Sequence, residues 1–97
     1  MKTNKTIQKY VKVIVPILKK NGVVKAGIFG SFARGEEKKR SDIDILIKFK
    51  GRKSLFDVCH LENELEDEVG RKIELITYRS IHPLLKERIL NEEIRIL

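Results

Sequence analysis

The stretch from residue 23 to residue 49, VVKAGIFGSFARGEEKKRSDIDILIKF, contains the two strands and the turn that decide the fold. Residues 23–29 form a short apolar run that stops at Gly30-Ser31, which predicts a buried strand followed by a turn. Residues 31–35 are expected to form one helical turn, and residues 36–41 a charged loop. From residue 42 to residue 49 apolar side chains alternate, which predicts a second strand with Asp42 and Asp44 opposite its apolar face.

The segment before residue 23 is predicted to be an amphipathic helix. Apolar residues recur at helical spacing between residues 7 and 18. Pro16 should kink this helix or split it into two short pieces. Asn21-Gly22 should end it, because either residue accepts the left-handed conformation that a helix stop requires.

A longer helix is predicted after residue 53. Ser54 with Asp57 three residues later resembles a capping box, and Gly70 should end the helix. Cys59 falls on the predicted apolar side, where it is expected to fill the core rather than to act as a reactive thiol. The apolar stripe of this helix is predicted at Leu55, Val58, Leu61, Leu65 and Val69.

The last part of the chain predicts a third strand at residues 72–77 and a final helix capped by Ser80 or His82, with Pro83 in its first turn. Residues 94–97 would add a short edge strand or pack against the body. The buried side of the final helix is predicted at Leu84, Leu85, Ile89 and Leu90. This order predicts an α+β fold in a single domain over residues 1–97, with helices on one face of a small mixed sheet and an open acidic face.

The composition constrains the partners. The chain has 21 Lys and Arg against 14 Asp and Glu, a formal net charge of +7, which attracts nucleoside triphosphates, nucleic acid or an acidic protein. Aromatic residues are only 6% and tryptophan is absent, so a stacking platform for nucleic acid is disfavoured. No P-loop motif follows the first strand. The nearest approach to a basic patch is Lys38, Lys39 and Arg40, followed by Lys48, Lys50, Arg52 and Lys53.

Cysteine content and hydropathy predict a cytoplasmic protein. The single cysteine cannot form an internal disulfide, which favours a reducing compartment. The longest apolar run, residues 13–18, is too short to span a membrane and contains a proline. No membrane partner is therefore expected.

Three features of the sequence combine into a candidate site. Gly30-Ser31 at a strand–helix junction lets the backbone approach a phosphate closely. Asp42 and Asp44 project from the same face of a strand and can share hard cations. Glu74 is an acid within an apolar strand. Each feature alone is compatible with an ordinary turn or a solvated acid, but together they fit magnesium-dependent chemistry on a triphosphate.

The spacing of these residues resembles a known family. Residues 30–35, GSFARG, are followed by residues 42–44, DID, with ten residues between Ser31 and Asp42. This pattern is similar to the signature of the polymerase-β-type nucleotidyltransferases, in particular their minimal nucleotidyltransferase branch from bacteria and archaea. The resemblance implies that Gly30, Ser31 and Arg34 contact the triphosphate and that Asp42 and Asp44 ligate two Mg²⁺ ions. It also implies that Glu74 is the third carboxylate, which helps to bind the catalytic metal and to activate the acceptor hydroxyl, although this position is often aspartate in the family.

The same resemblance implies an activity and a partner. Members of this branch are commonly encoded beside a HEPN-type toxin with ribonuclease activity, and they act as antitoxins by adding AMP from ATP to a tyrosine of the toxin. The leading hypothesis is therefore AMP transfer to a protein hydroxyl, with the acceptor supplied by a partner with which the chain could form an oligomer. The alternative is a binding module that neutralises its partner by occlusion, with a vestigial nucleotide pocket. The short chain and the glutamate at position 74 motivate this alternative.

Overall fold

The computed structural model describes residues 5–97, which fold into four α-helices and a four-stranded sheet. In chain order the elements are α1 (Lys5–Lys20), β1 (Val23–Phe29), α2 (Ser31–Arg34), β2 (Ile43–Phe49), α3 (Leu55–Val69), β3 (Ile73–Thr77), a 3₁₀ turn (Tyr78–Ser80), α4 (Pro83–Glu92) and β4 (Ile94–Arg95). The predicted α+β class and the predicted order of elements are confirmed.

The sheet is mixed and has the strand order β3-β2-β1-β4. Strand β1 is antiparallel to both β2 and β4, whereas β2 and β3 are parallel and joined through α3. The C-terminal residues thus form an edge strand, one of the two arrangements left open by the sequence. The register places Phe29 of β1 opposite Asp44 of β2, and Asp44 opposite Glu74 of β3.

The main core lies between one face of the sheet and the helices α1 and α3. The alternation along β2 is borne out, because Ile43, Ile45 and Ile47 are all fully buried on this face. Helix α1 contributes Ile7, Ile14 and Leu18 to the same cluster, and α3 contributes Leu61 and Leu65. Burial of these aliphatic side chains is the main force that fixes the central strands.

A second, smaller core covers the middle of the opposite face, which corrects the expectation that the acid-bearing face is open. Leu46 points to this face and is fully buried with Phe29, Ile81 and Ile89. The 3₁₀ turn and α4 therefore pack where helices were not expected. The physical reason is that a leucine in the middle of the acidic face must be shielded from water, and the C-terminal segment supplies the cover.

The predicted buried side of α4 is wrong except for Ile89. Leu84 is 88% exposed, and Leu85 and Leu90 are also exposed. Helical periodicity identifies a set of apolar side chains but does not show how much of a short helix meets the sheet. The cap of α4 is confirmed in one of its two forms, because His82 Nδ1 accepts a hydrogen bond from the Leu84 amide at 3.1 Å.

Helix α3 begins and ends as predicted, but two of its side chains were misplaced. The capping box of Ser54 and Asp57 is formed, and Gly70 ends the helix with a φ of 74°. Leu55 is 77% exposed in the first turn, beyond the edge of the core. Cys59 is exposed rather than buried. It follows the inward-facing Val58, and one residue rotates a helical side chain by about 100° away from the packed face.

Helix α1 runs without interruption through Pro16, so the predicted split into two pieces is wrong. Pro16 is exposed, while Ile14 and Leu18 on either side of it are fully buried. Their packing compensates for the hydrogen bond that proline removes. Asn21-Gly22 ends the helix as predicted, with Gly22 at a φ of 82°. No helix within residues 5–97 combines the length and the apolarity needed to cross a membrane.

Candidate active site

The turn after β1 depends on glycine and is anchored in the main core. Gly30 has φ 76° and ψ −153°, a conformation that side-chain-bearing residues avoid. The short helix α2 follows at once, and its Phe32 is almost completely buried. The Phe32 ring meets that of Tyr10 edge to face at 5.9 Å between centroids. Packing of α2 therefore fixes the backbone of Gly30, which is buried, and of Ser31, which is partly exposed.

The turn and the predicted carboxylates meet at one end of the sheet. A Cβ atom placed on Gly30 would lie 2.2 Å from Oδ2 of Asp44, so the Asp44 carboxyl group rests directly against the glycine. The carboxyl group of Asp44 also hydrogen-bonds that of Glu74, its register partner on β3. Asp42 precedes β2 and lies close enough to raise the pKa of Asp44. The structure thus brings together the groups that the sequence singled out.

The charged form of Asp44 is disfavoured by its surroundings. Its pKa is raised from 3.8 to about 6, first because burial disfavours the charged carboxylate and then because the negative charges of Glu74 and Asp42 lie nearby. The hydrogen bond with Glu74 raises the pKa further, and the positive charge of Arg34 opposes these effects more weakly. Bound positive charge at this position would relieve the repulsion among the three acids.

The donor set suits a hard divalent cation. Asp42, Asp44 and Glu74 offer only carboxylate oxygens, which Mg²⁺ prefers. Among residues 5–97, however, no three or more His, Cys, Asp or Glu side chains stand in an arrangement that could hold a metal ion. The hydrogen bond between Asp44 and Glu74 must open to free oxygen atoms, and the exposed Glu74 side chain has room to rotate. The residues fit a metal in their chemistry and proximity but are not yet arranged around one.

Glu92, at the end of α4, is a site residue that sequence reasoning missed. The Gly30 amide donates a hydrogen bond to Glu92 Oε1 at 2.9 Å. Arg34 Nη1 lies 3.2 Å from Glu92 Oε2, and Arg34 Nε donates to Glu36 at 2.9 Å. A carboxylate of the protein therefore occupies the turn at the position where an incoming anion would bind. The signal is absent from the sequence, because 62 residues separate Gly30 from Glu92.

The next residue, Glu93, fastens this end of α4 to the sheet. A Cβ atom on Gly27 would lie 2.0 Å from Glu93 Oε2, so the glycine leaves the space that the glutamate occupies. The Tyr78 hydroxyl donates a hydrogen bond to the same carboxylate. Burial and this contact raise the pKa of Tyr78. Glu93 thus sets the position of Glu92 beside the turn.

Comparison with known proteins identifies similar chains. A family profile described as polymerase beta, nucleotidyltransferase matches residues 12–97. A Methanocaldococcus jannaschii protein named as a candidate protein adenylyltransferase is 56% identical over 84 residues, which cover 87% of this chain and 90% of that protein. A solved structure assigned as a minimal nucleotidyltransferase is 31% identical with a TM-score of 0.79, covering 93% of this chain and 92% of that one.

A second solved structure has the same fold at lower identity. It is a toxin–antitoxin crystal structure with AMP-PNP, 20% identical with a TM-score of 0.80, covering 90% of this chain and 72% of that one. This likeness concerns the fold.

Replacing Gly30 with alanine should destabilise the protein far more than the same change at Gly70. Gly70 lies in the left-handed region with φ 74° and ψ 24°, where alanine costs about 1 kcal/mol. Gly30, with φ 76° and ψ −153°, lies in a region almost restricted to glycine, so its backbone strain alone is larger. Only Gly30 would also drive a Cβ atom into Asp44, whereas no atom lies within 4 Å of a Cβ on Gly70. Urea unfolding should show an additional loss of about 2 kcal/mol or more for Gly30→Ala. Equal losses for the two variants would contradict the contact between the turn and Asp44.

Replacing Asp44 with asparagine should stabilise the metal-free protein near neutral pH. The pKa of Asp44 in the folded protein, about 6, lies above the ordinary value of 3.8. The stability gained from the protonated Asp44 carboxyl group is therefore complete below pH 4 and is lost as the pH rises through 6. After allowance for partial exposure, Asp44→Asn should raise the free energy of unfolding by about 1 kcal/mol at pH 7.5 and not at pH 3.5.

The matched control for this experiment is Asp67→Asn, an exposed acid on α3. It should change the free energy of unfolding by less than about 0.5 kcal/mol at both pH values. Destabilisation by Asp44→Asn at pH 7.5 would contradict this prediction, because it would show that the charged Asp44 carboxylate stabilises the folded protein.

Proposed function

This chain belongs to the polymerase-β nucleotidyltransferase family, and we propose that it transfers AMP from ATP to a hydroxyl group of a protein. The observation that carries the proposal is the contact between the Asp44 carboxyl group and the Gly30 turn. The same carboxyl group is hydrogen-bonded to Glu74. A turn suited to phosphate oxygens and a group of carboxylates suited to Mg²⁺ thereby share one end of the sheet.

Each side chain has a proposed role in this reaction. The Gly30 and Ser31 turn and Arg34 bind the triphosphate, while Asp42, Asp44 and Glu74 would hold two Mg²⁺ ions. Bound Mg²⁺ supplies Lewis-acid stabilisation of charge on the phosphates and lowers the pKa of an attacking hydroxyl. The acceptor oxygen forms a bond to the α-phosphorus and its proton passes to solvent. The bond between the α-phosphorus and the oxygen that bridges to the β-phosphate breaks, and pyrophosphate leaves with the electron pair. Glu74 is exposed and orients the acceptor hydroxyl that arrives from solvent.

The proposed acceptor is a tyrosine of a HEPN-type toxin, in the cytoplasm. The relative that is 56% identical is named as a candidate protein adenylyltransferase, which supports a protein acceptor. A solved structure assigned as a minimal nucleotidyltransferase is similar over 93% of this chain, which supports membership of that branch. The toxin as partner is what the resemblance of the motif to this branch implies. The acceptor would come from the partner chain, with which this protein forms a complex.

AMP transfer is tested by co-expressing the chain with a HEPN-type toxin and following the label from α-labelled ATP into the toxin. Labelling should require Mg²⁺ and should fall by about 100-fold or more in Asp42→Ala and in Asp44→Ala, because each removes a carboxylate from the charge-stabilising set. Asp67→Ala, an exposed acid outside the site, is the control and should label normally. Undiminished labelling by the two site variants would refute the proposal.

A non-catalytic antitoxin is the second candidate function. The observation that favours it is the internal carboxylate of Glu92 on the Gly30 amide, which leaves the turn already occupied. In that case the Asp42→Ala variant would still bind and inhibit the toxin with no nucleotide present. A requirement for ATP in the inhibition would exclude it.

Replacing Glu92 with glutamine should tighten ATP binding by about three- to tenfold, measured by calorimetry with Mg²⁺. A triphosphate that uses the Gly30 amide and Arg34 must displace Glu92, and the neutral amide competes less and does not repel phosphate. Glu36→Gln is the control, since Glu36 contacts Arg34 but has no recorded bond to the Gly30 amide. Its effect should be smaller. Weaker ATP binding by Glu92→Gln would mean that Glu92 instead holds Arg34 in its binding position.

A further inference from the structure

A basic cleft lies apart from the carboxylates. It has a volume of about 970 Å³ and is formed by the C-terminal ends of β2 and β3, the beginning of β1 and one side of α4. Its polar lining consists mainly of Lys25, Lys48, Tyr78, Arg79, Ser80 and Lys86. Among residues 5–97, no acidic residue lines it. These positions are scattered along the sequence, and of the basic residues noted between positions 38 and 53 only Lys48 lines the cleft.

The cleft and the carboxylates share one face of the sheet. Lys25 is the register partner of Lys48, and Phe29 that of Asp44, so all four side chains project from the acid-bearing face. Lys48 follows Asp44 by four residues on the same extended strand, a distance of about 13 Å at ~3.3 Å per residue. Because Ile81 and Ile89 cover Leu46 in the middle of this face, a bound chain must pass over the outside of that cover, and about eight extended residues would span this longer path.

The positive charge of the cleft is largely uncompensated within the chain. None of the ion pairs recorded among the described residues involves Lys48, Arg79 or Lys86. Lys25 Nζ lies over the Tyr78 ring at 4.4 Å from its centroid. The Tyr78 hydroxyl donates a hydrogen bond to Glu93. Clustered like charges repel one another, and an anionic ligand removes this repulsion.

We propose that this cleft binds an acidic segment of the protein acceptor and so guides the acceptor hydroxyl toward the carboxylates. The proposal rests on the proposed function. The lining also includes Ile81 and Leu90, which suits a peptide that carries apolar as well as acidic side chains. A nucleic acid is less well matched, because the Tyr78 ring is already covered by Lys25 and offers no free stacking surface on that side.

The geometry specifies the acceptor segment. Acidic side chains about eight residues from the modified hydroxyl would lie among Lys48, Arg79 and Lys86 while the hydroxyl lies near Glu74. Acids placed directly beside the hydroxyl would instead meet Asp44 and Glu74 and be repelled. The cleft thus selects for the position of negative charge and not only for its amount.

The test uses a charge-reversal variant and a matched control. Lys48→Glu combined with Lys86→Glu changes the cleft, whereas Lys12→Glu combined with Lys19→Glu makes the same change in net charge on exposed positions of α1. Helix α1 packs on the opposite face of the sheet from the cleft. Loss of binding in both variants alike would attribute binding to net charge and overturn the proposal.

The probe is a fluorescein-labelled peptide with one tyrosine and a group of glutamates about eight residues from it. Its binding is followed by fluorescence anisotropy without ATP or Mg²⁺. The cleft variant should raise its Kd by about tenfold, and the control variant by less than about twofold. A peptide with glutamines in place of the glutamates should bind weakly to every variant. Tighter binding of a single-stranded RNA with the same sensitivity to the cleft variant would reassign the cleft to nucleic acid. Displacement of the peptide by AMP-PNP would reassign it to the nucleotide.

A second measurement separates failure of this inference from failure of the proposed function. With labelled ATP, Mg²⁺ and the HEPN-type toxin, the cleft variant should lower kcat/KM for the toxin by about tenfold and leave ATP affinity unchanged. Normal toxin labelling by the cleft variant would overturn the acceptor role of the cleft alone. Peptide binding by a wild-type protein that labels no toxin would instead refute the AMP transfer and leave the acidic-peptide site supported.

Discussion

The contact between the Asp44 carboxyl group and the α-carbon of Gly30 is the constraint on which the site depends. It requires a residue without a side chain at the turn, and it requires that β1 and β2 pair in one register. A shift of one residue would send Asp44 to the main core and remove it from the turn. The register is held by the isoleucines of β2 packed against α1 and α3. Burial of apolar surface on one face therefore fixes the acids on the other.

The C-terminal segment both covers the middle of the acid-bearing face and reaches the Gly30 turn. Ile89 covers Leu46 in the second core, and three residues later Glu92 reaches the Gly30 amide. Glu93 holds the same turn of helix against Gly27. The middle of the face is thus apolar and closed, its one end acidic and its other end basic. The proposed acceptor, if it passes over this cover, would meet charges of opposite sign at the two ends of the face.

The sequence was sufficient where local patterns carry the information. Strand β1 was predicted with its observed bounds and β2 within one residue, because alternation and turn residues mark them. The capping box before α3 was predictable for the same reason. Three features could not be predicted from the sequence: the burial of α4, the exposure of Cys59 and the contact made by Glu92. They depend on which surfaces meet after folding, and the residues concerned are distant from their partners in the chain.

The most direct measurement is a crystal structure of the protein with Mg²⁺ and a non-hydrolysable ATP analogue. We expect Mg²⁺ to be bound by Asp44 with Asp42 and Glu74, and the hydrogen bond between Asp44 and Glu74 to be broken. We also expect a phosphate oxygen to accept the hydrogen bond of the Gly30 amide in place of Glu92. A triphosphate bound away from the turn, with Glu92 still accepting the Gly30 hydrogen bond and no metal at Asp44, would contradict it.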